Sequence, residues 1–373
     1  MTGPTRREFI GTVGAAAFAS HPIFERRRSF NGMLPAHTAG EVRLNYNESA
    51  YGPSPKALAV LRSSAADLAG RYYPSDTFDP LRDALAKLHG VTRAHIRLGA
   101  GSTEIIKACD DVFLGTRGRL VAAEPAYEAV VQYAANSKAE TALVPLTTDH
   151  RHDLPRMAAA AKAGAGLLYV CNPNNPTGTI VRGTEINALI GVVPSATIVL
   201  IDEAYAEFVS DSGYESAVRH VKEGRNVIVT KTFSKIHGMA GLRIGYAIAK
   251  PELIDRLAPF TVDFANVGIA VNAAIASLDD PDHRAMAARE NAKQRTRFNA
   301  EMKSLGFDCA ESHANFVMVN VRRSVKPLIA AMAAKQILVG REFAAMPTFV
   351  RVTLGTATEM DAFYPAFREA IRA

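Results

Sequence analysis

Three continuous apolar runs in the middle of the chain end abruptly in polar residues. Gly166-Leu167-Leu168-Tyr169-Val170-Cys171 runs into Asn172-Pro173-Asn174-Asn175-Pro176-Thr177-Gly178. Thr197-Ile198-Val199-Leu200-Ile201 runs into Asp202-Glu203-Ala204-Tyr205. Asn226-Val227-Ile228-Val229-Thr230 runs into Lys231-Thr232-Phe233-Ser234-Lys235. Runs without polar alternation are those of strands covered on both faces. Around them the pattern predicts helices over 57–68 and 80–89, each with proline near its start. Residues 97–106 read as a turn opening a helix that continues to 113. Short strands are expected at 119–123 and 143–146. From about 272 the pattern turns helical through 305, followed by strands at 314–321 and 349–354 and a last helix over 360–372. Strands alternating with helices predict an α/β fold, with a mostly parallel central sheet, helices on both faces and a smaller α+β domain. In open α/β sheets ligands bind beyond the carboxyl ends of the strands. The three polar clusters are therefore expected to meet at one site.

The N-terminus follows a different pattern. Arg6-Arg7 precedes a short run rich in Gly and Ala, and Ala17-Phe18-Ala19 offers a small-x-small cleavage site. The order resembles a twin-arginine export signal, which implies a periplasmic protein that crosses the membrane folded. The alternative is the basic end of a cytoplasmic protein. Composition adds little: 373 residues, 48% hydrophobic, 21% charged and a net charge of +6 describe an ordinary globular chain. No Lys/Arg run argues for nucleic acid, and no other stretch has the apolar length of a membrane span. Cys109, Cys171 and Cys309 are widely spaced and suggest neither a zinc site nor a disulfide framework.

Taken singly, the polar motifs are ambiguous. Gly99-Ala100-Gly101-Ser102-Thr103 is either a glycine turn capping a helix or an anion cradle of free backbone N–H groups. Asn175-Pro176-Thr177-Gly178 suits a turn, and Asp202 suits a helix cap. Lys235 alone reads as a surface lysine, and Arg243 and Arg351 as ion-pair partners.

Their order is more informative. Leu44-Asn45-Tyr46-Asn47-Glu48 with Tyr51-Gly52-Pro53-Ser54-Pro55 comes first, then Arg71-Tyr72-Tyr73-Pro74 and the three strand-end clusters. Met239-Ala240-Gly241-Leu242-Arg243-Ile244-Gly245 and Arg351-Val352-Thr353-Leu354-Gly355-Thr356 follow. From about Leu44 to its end the chain resembles the fold-type I, class I/II aminotransferases, nearest to the branch that includes histidinol-phosphate aminotransferases. The resemblance implies pyridoxal 5'-phosphate (PLP) bound as an imine on Lys235, with the freed amine shuttling a proton. It places Asp202 at the pyridine nitrogen, Tyr205 and Asn175 at the phenolic oxygen, and Tyr127 stacked on the ring. Backbone N–H groups of Gly101, Ser102 and Thr103, hydroxyls of Thr232 and Ser234 and the fork of Arg243 would hold the phosphate. Tyr73 would reach the phosphate of a partner subunit, implying a homodimer with shared sites. Arg351 would grip the substrate α-carboxylate, and Asn175 would also contact the substrate. No metal is implied. The division implied is a leader and linker over 1–35, an arm and part of a small domain over 36–69, a large PLP-binding domain over 70–270 and a small domain over 271–373.

One segment departs from the family pattern. Gly340-Arg341-Glu342-Phe343 lies near the position of a second substrate-binding arginine, but Arg341 reads equally as a surface ion-pair partner of Glu342 or another neighbour. Asn315 matches a family position and reads as structural. Amino-group transfer between an L-amino acid and a 2-oxo acid is the expected reaction, with histidinol phosphate or an aromatic or other amino acid as donor. A decarboxylase or lyase of the same fold, of the threonine-phosphate decarboxylase kind, shares most of these motifs. A transcription regulator built on this fold would need an N-terminal DNA-binding domain, for which about 40 residues leave no room.

Overall fold

The computed structural model describes residues 40–68, 78–115, 118–262 and 265–372. The export-signal segment, the Arg71–Pro74 motif with Tyr73, and the boundary near 69–70 lie outside them. Val42–Ala373 forms one compact unit.

Among the described residues, twelve strands follow in chain order: β1 (Val42–Leu44), β2 (Ile96–Gly99), β3 (Arg119–Glu124), β4 (Glu140–Pro145), β5 (Leu167–Cys171), β6 (Ile198–Asp202), β7 (Val227–Thr232), β8 (Gly245–Ala249), β9 (Asp308–Cys309), β10 (Phe316–Asn320), β11 (Ile337–Val339) and β12 (Phe349–Thr353). β2 to β8 form one seven-stranded sheet in the order β2-β8-β7-β6-β5-β3-β4. β8 pairs antiparallel with both neighbours, and every other pairing is parallel. Its three central strands are the three apolar runs of the sequence. β5, β6 and β7 are buried at every position, because helices cover both faces of such a sheet. Each fully buried Leu, Ile or Val contributes about 1.5–3 kcal/mol. The main core includes Leu168, Leu200, Ile228, Ile105 and Ile248.

Two strands of the seven-stranded sheet, β2 and β8, were not apparent as strands in the sequence, nor were the short strands β1, β9 and β11. Residues 96–99 form β2 because β8 supplies a partner on one side, and β8 itself lies inside a stretch that reads first as chemistry. β4 begins at Glu140, earlier than the apolar run suggests, because an edge strand with one solvent face needs no continuous apolar sequence. The last helix begins at Ala357 rather than 360. Thr356 and Glu359 form a capping box, Thr356 N donating to Glu359 Oε2 at 2.7 Å.

A second core gathers Leu44, Phe298, Val317, Val350, Val352, Phe363 and Phe367. It is built on the antiparallel sheet β12-β10-β9, the parallel pair β1-β11 and the helices Pro281–Ser304 and Ala357–Ala370. β1 thus ties the start of the compact unit to its C-terminal part. Among the described residues no helix is long and apolar enough to cross a membrane, and no cluster suits a metal.

Candidate active site

Register aligns the chemistry. Cys171 pairs with Asp202 and Asp202 with Thr230, forming one row across β5, β6 and β7. Gly99, Gly245 and Thr232 form another. Because β8 runs opposite to its neighbours, its first residue lies at the edge where they end. Arg243, just before β8, therefore meets Ser234, just after β7.

At that edge the helix Ser102–Phe113 begins without a side-chain cap, so its first N–H groups lack intrahelical partners and face outward with the positive end of the dipole. Arg243 adopts left-handed backbone geometry, with φ 55°. Its Nη1 donates to Ser234 Oγ at 3.3 Å and to Ala240 O at 2.7 Å, and its Nη2 to Ala100 O at 3.4 Å. Thr232 Oγ1 donates to Ser234 Oγ at 2.9 Å. Two glycines make the close approach possible. A Cβ at Gly101 would lie 2.2 Å from Arg243 Nη2, and one at Gly245 2.3 Å from Ser102 N. Tyr127 Oη lies 3.4 Å from Thr103 Oγ1. The glycine turn thus caps the helix with Gly101 and leaves its first N–H groups without a side-chain partner, an arrangement compatible with both readings.

Lys235 is half-buried at the end of the β7 segment. Its Nζ donates to the carbonyls of Asn47 at 3.0 Å and Tyr46 at 3.3 Å, and lies 5.5 Å from the centre of the Tyr205 ring. Desolvation, with the nearby positive charges of Arg351 and Arg243, lowers its pKa to about 8, and Glu48 and Asp202 oppose the shift. Asp202 is buried and accepts from Thr230 Oγ1 at 3.0 Å and Tyr169 Oη at 3.1 Å. Desolvation raises its pKa to about 6 against those hydrogen bonds. Burial also raises the Tyr205 phenol.

Asn47 organises the other wall. Its Nδ2 donates to Tyr205 Oη at 3.1 Å, and its Oδ1 accepts from Thr353 Oγ1 at 3.1 Å. Its carbonyl accepts from Lys235 and, at 3.2 Å, from Asn315 Nδ2. Asn315 is thus a clamp on the 47–48 backbone, as its structural reading implies. Arg351, on β12, is buried. Its Nη1 donates to Asn175 Oδ1 at 2.7 Å and its Nη2 to Asn45 O at 2.8 Å, while its Nε has no partner among the described residues. Desolvation lowers its pKa to about 10, so it stays cationic near neutral pH. Arg341 pairs with Glu128 rather than with the Glu342 carboxylate, which pairs with Lys326.

The residues brought together are thus Gly101, Ser102, Thr103, Tyr127, Asn175, Asp202, Tyr205, Thr232, Ser234, Lys235, Arg243 and Arg351, with Arg341 at the rim. Asn47, Tyr169, Thr230 and Thr353 also belong to the site, although sequence reasoning gave them no role. Tyr169 carried a usable signal: a phenol in a wholly buried strand needs a hydrogen-bond partner.

The donor set fits PLP. The helix N-terminus, the Ser234 hydroxyl and the Arg243 guanidinium meet where Gly101 and Gly245 allow close approach, a donor set suited to a phosphate, Asp202 is a buried carboxylate, and Lys235 is an amine on which the charges of both Arg243 and Asp202 act. The family model for aminotransferase class I and II matches residues 39–367. The chain is 34% identical over 336 residues to a histidinol-phosphate aminotransferase of Moorella thermoacetica, covering 88% of this chain and 85% of that one. It is 34% identical over 346 residues to an aromatic amino acid aminotransferase of Mycolicibacterium smegmatis, covering 91% and 93%. The structure of histidinol-phosphate aminotransferase from Sinorhizobium meliloti in complex with pyridoxal-5'-phosphate superposes with a TM-score of 0.84 at 28% identity, covering 89% of this chain and 91% of that one. The chain belongs to the class I and II aminotransferases, a PLP-dependent family of fold type I.

Proposed function

We propose that this aminotransferase moves an amino group between an L-amino acid and a 2-oxo acid, with PLP held covalently on Lys235. When bound, PLP supplies an aldehyde that captures an amino group and a ring that accepts the electron pair released at the substrate α-carbon. One observation carries the reading: the Lys235 amine is held by the Asn47 and Tyr46 carbonyls, where desolvation and the charge of buried Arg351 lower its pKa to about 8 and buried Asp202 acts in the opposite sense. An amine of that pKa exchanges its proton readily near neutral pH, which suits it to carry a proton to and from the α-carbon. Asp202, held by Thr230 and Tyr169, would keep a protonated ring nitrogen charged. Tyr205 and Asn175 would hydrogen-bond the ring oxygen, and Tyr127 would cover the ring. Ser102, Thr103, Thr232, Ser234 and Arg243 would hold the phosphate. Arg351 would bind the α-carboxylate, its fork already oriented by Asn175 and the Asn45 carbonyl. The donors named for the relatives, histidinol phosphate and aromatic amino acids, are the first to test. A homodimer in which Tyr73 reaches the partner's phosphate site, and export by the twin-arginine route, belong to the same proposal.

The test is a half-reaction. Holoenzyme given an amino donor and no acceptor should release one equivalent of the donor's oxo product, a 2-oxo acid from an amino acid or a ketone from histidinol phosphate, and stop until a 2-oxo acid acceptor is added. Continuous release of CO2 or ammonia from the donor, with no dependence on acceptor, would instead identify a decarboxylase or lyase. Lys235→Ala should lose the visible absorbance of the lysine-bound cofactor. Retention of that absorbance would refute the covalent assignment.

A further inference from the structure

The ion pair between Glu128 and Arg341 lies near Arg351, the arginine proposed above to bind the α-carboxylate. Glu128 follows Tyr127 directly, and Arg341 follows Gly340, whose N–H donates to the Arg351 carbonyl at 2.8 Å. The buried ring of Phe343 packs beneath both guanidinium groups, 4.4 Å from Arg341 and 5.2 Å from Arg351. Both Arg341 and Glu128 act electrostatically on Arg351, with opposite signs. Arg341 Nη1 also donates to the Glu342 carbonyl at 2.9 Å. Arg341 is therefore already bound on three sides, to a carboxylate, a carbonyl and an aromatic face. Yet the pair remains open to solvent, with side-chain exposures of 52% and 40%.

We propose that Glu128 is a specificity-determining residue, which neutralises Arg341 and so favours amino acids with uncharged side chains, aromatic ones included, over those whose side chain ends in a carboxylate. An anionic tail approaching Arg341 must displace the Glu128 carboxylate and then lie beside a like charge. An uncharged side chain meets neither cost, and Arg351 still takes its α-carboxylate. Selection of this kind works through repulsion as much as attraction. The inference rests on the transaminase reading and names the substrate class of that site.

The experiment compares L-phenylalanine with L-glutamate, which share the α-carboxylate and differ in side-chain charge. Half-reaction kcat/KM is measured for wild-type holoenzyme and for Glu128→Gln. An exposed pair of this kind, together with the relieved repulsion, is worth roughly three- to tenfold, so the glutamate-to-phenylalanine ratio should rise by that factor. Arg341→Met added to Glu128→Gln should cancel the rise. In calorimetry, glutarate, an unreactive dicarboxylate, should bind Glu128→Gln roughly three- to tenfold more tightly than wild type, with hydrocinnamate as the monocarboxylate reference. An unchanged ratio with unchanged glutarate binding overturns the role of Glu128 and leaves the transaminase reading standing. No 2-oxo acid from either donor or from any other amino acid overturns both.

Discussion

Asp110 provides a direct test of the packing behind the site. It lies on the helix Ser102–Phe113, whose other end forms the phosphate cradle. The residue is 0% exposed, and neither carboxylate oxygen has a hydrogen-bond partner among the described residues. Desolvation, reinforced by Asp111, raises its pKa from 3.8 to about 8 against the opposing charge of Lys107. The folded state therefore binds the proton more tightly than the unfolded state. Asp110's contribution is fully present below pH 3.8 and is lost as pH rises toward 8. Each pH unit in that window costs about 1.4 kcal/mol, so at pH 7 the ionisable carboxyl costs on the order of 4 kcal/mol relative to its neutral form. Asp110→Asn keeps the shape and a comparable unmet polar group but removes the titration. The variant should match wild type near pH 4 and exceed it progressively above. At pH 7 the gain should be on the order of 6 °C in Tm for a unit of this size. The assay is urea and thermal unfolding of both proteins at several pH values from 4 to 8. Parallel stability curves, with a difference independent of pH, would show that Asp110 keeps an ordinary pKa and would refute the reasoning.

Three further outcomes test the site. Arg351→Ala should raise KM for amino acids by about tenfold to a hundredfold, the worth of a charge-assisted hydrogen bond, with little change in PLP affinity by titration; equal loss of both would move the carboxylate site elsewhere. Gly101→Ala should weaken PLP binding, because its Cβ would lie 2.2 Å from Arg243 Nη2 and displace that guanidinium; an unchanged dissociation constant would separate Arg243 from the phosphate. In the apoenzyme the Lys235 pKa of about 8 predicts that PLP capture is slow at acid pH, rises about tenfold per unit and levels off above pH 8. A rise continuing to pH 10 would mean an unperturbed lysine.

What the sequence determined by itself was the centre of the sheet, while the chemistry at its edge was implied by the family resemblance of the ordered motifs. The apolar runs 166–171, 197–201 and 226–230 could be stable only as buried strands, and strands of that kind deliver Asn175, Asp202 and Lys235 to one edge of a parallel sheet. A phosphate role for Arg243, which alone reads as an ion-pair partner, was implied by the family resemblance. The tertiary structure decided everything that depends on partners distant in the chain. Asn47 and Thr353 are 306 residues apart, and no local pattern announces a hydrogen bond between them. The strand β2 exists because β8 returns antiparallel beside it, and Tyr169 serves Asp202 only because β5 and β6 lie in register. Arg341 shows the same division. Its sequence left a substrate arginine and a surface ion-pair partner equally open, and the choice passed to Glu128, 213 residues earlier. Local periodicity fixes which face of a segment is apolar, whereas the pairing of polar side chains is set by how those segments pack, and the site is made of such pairs.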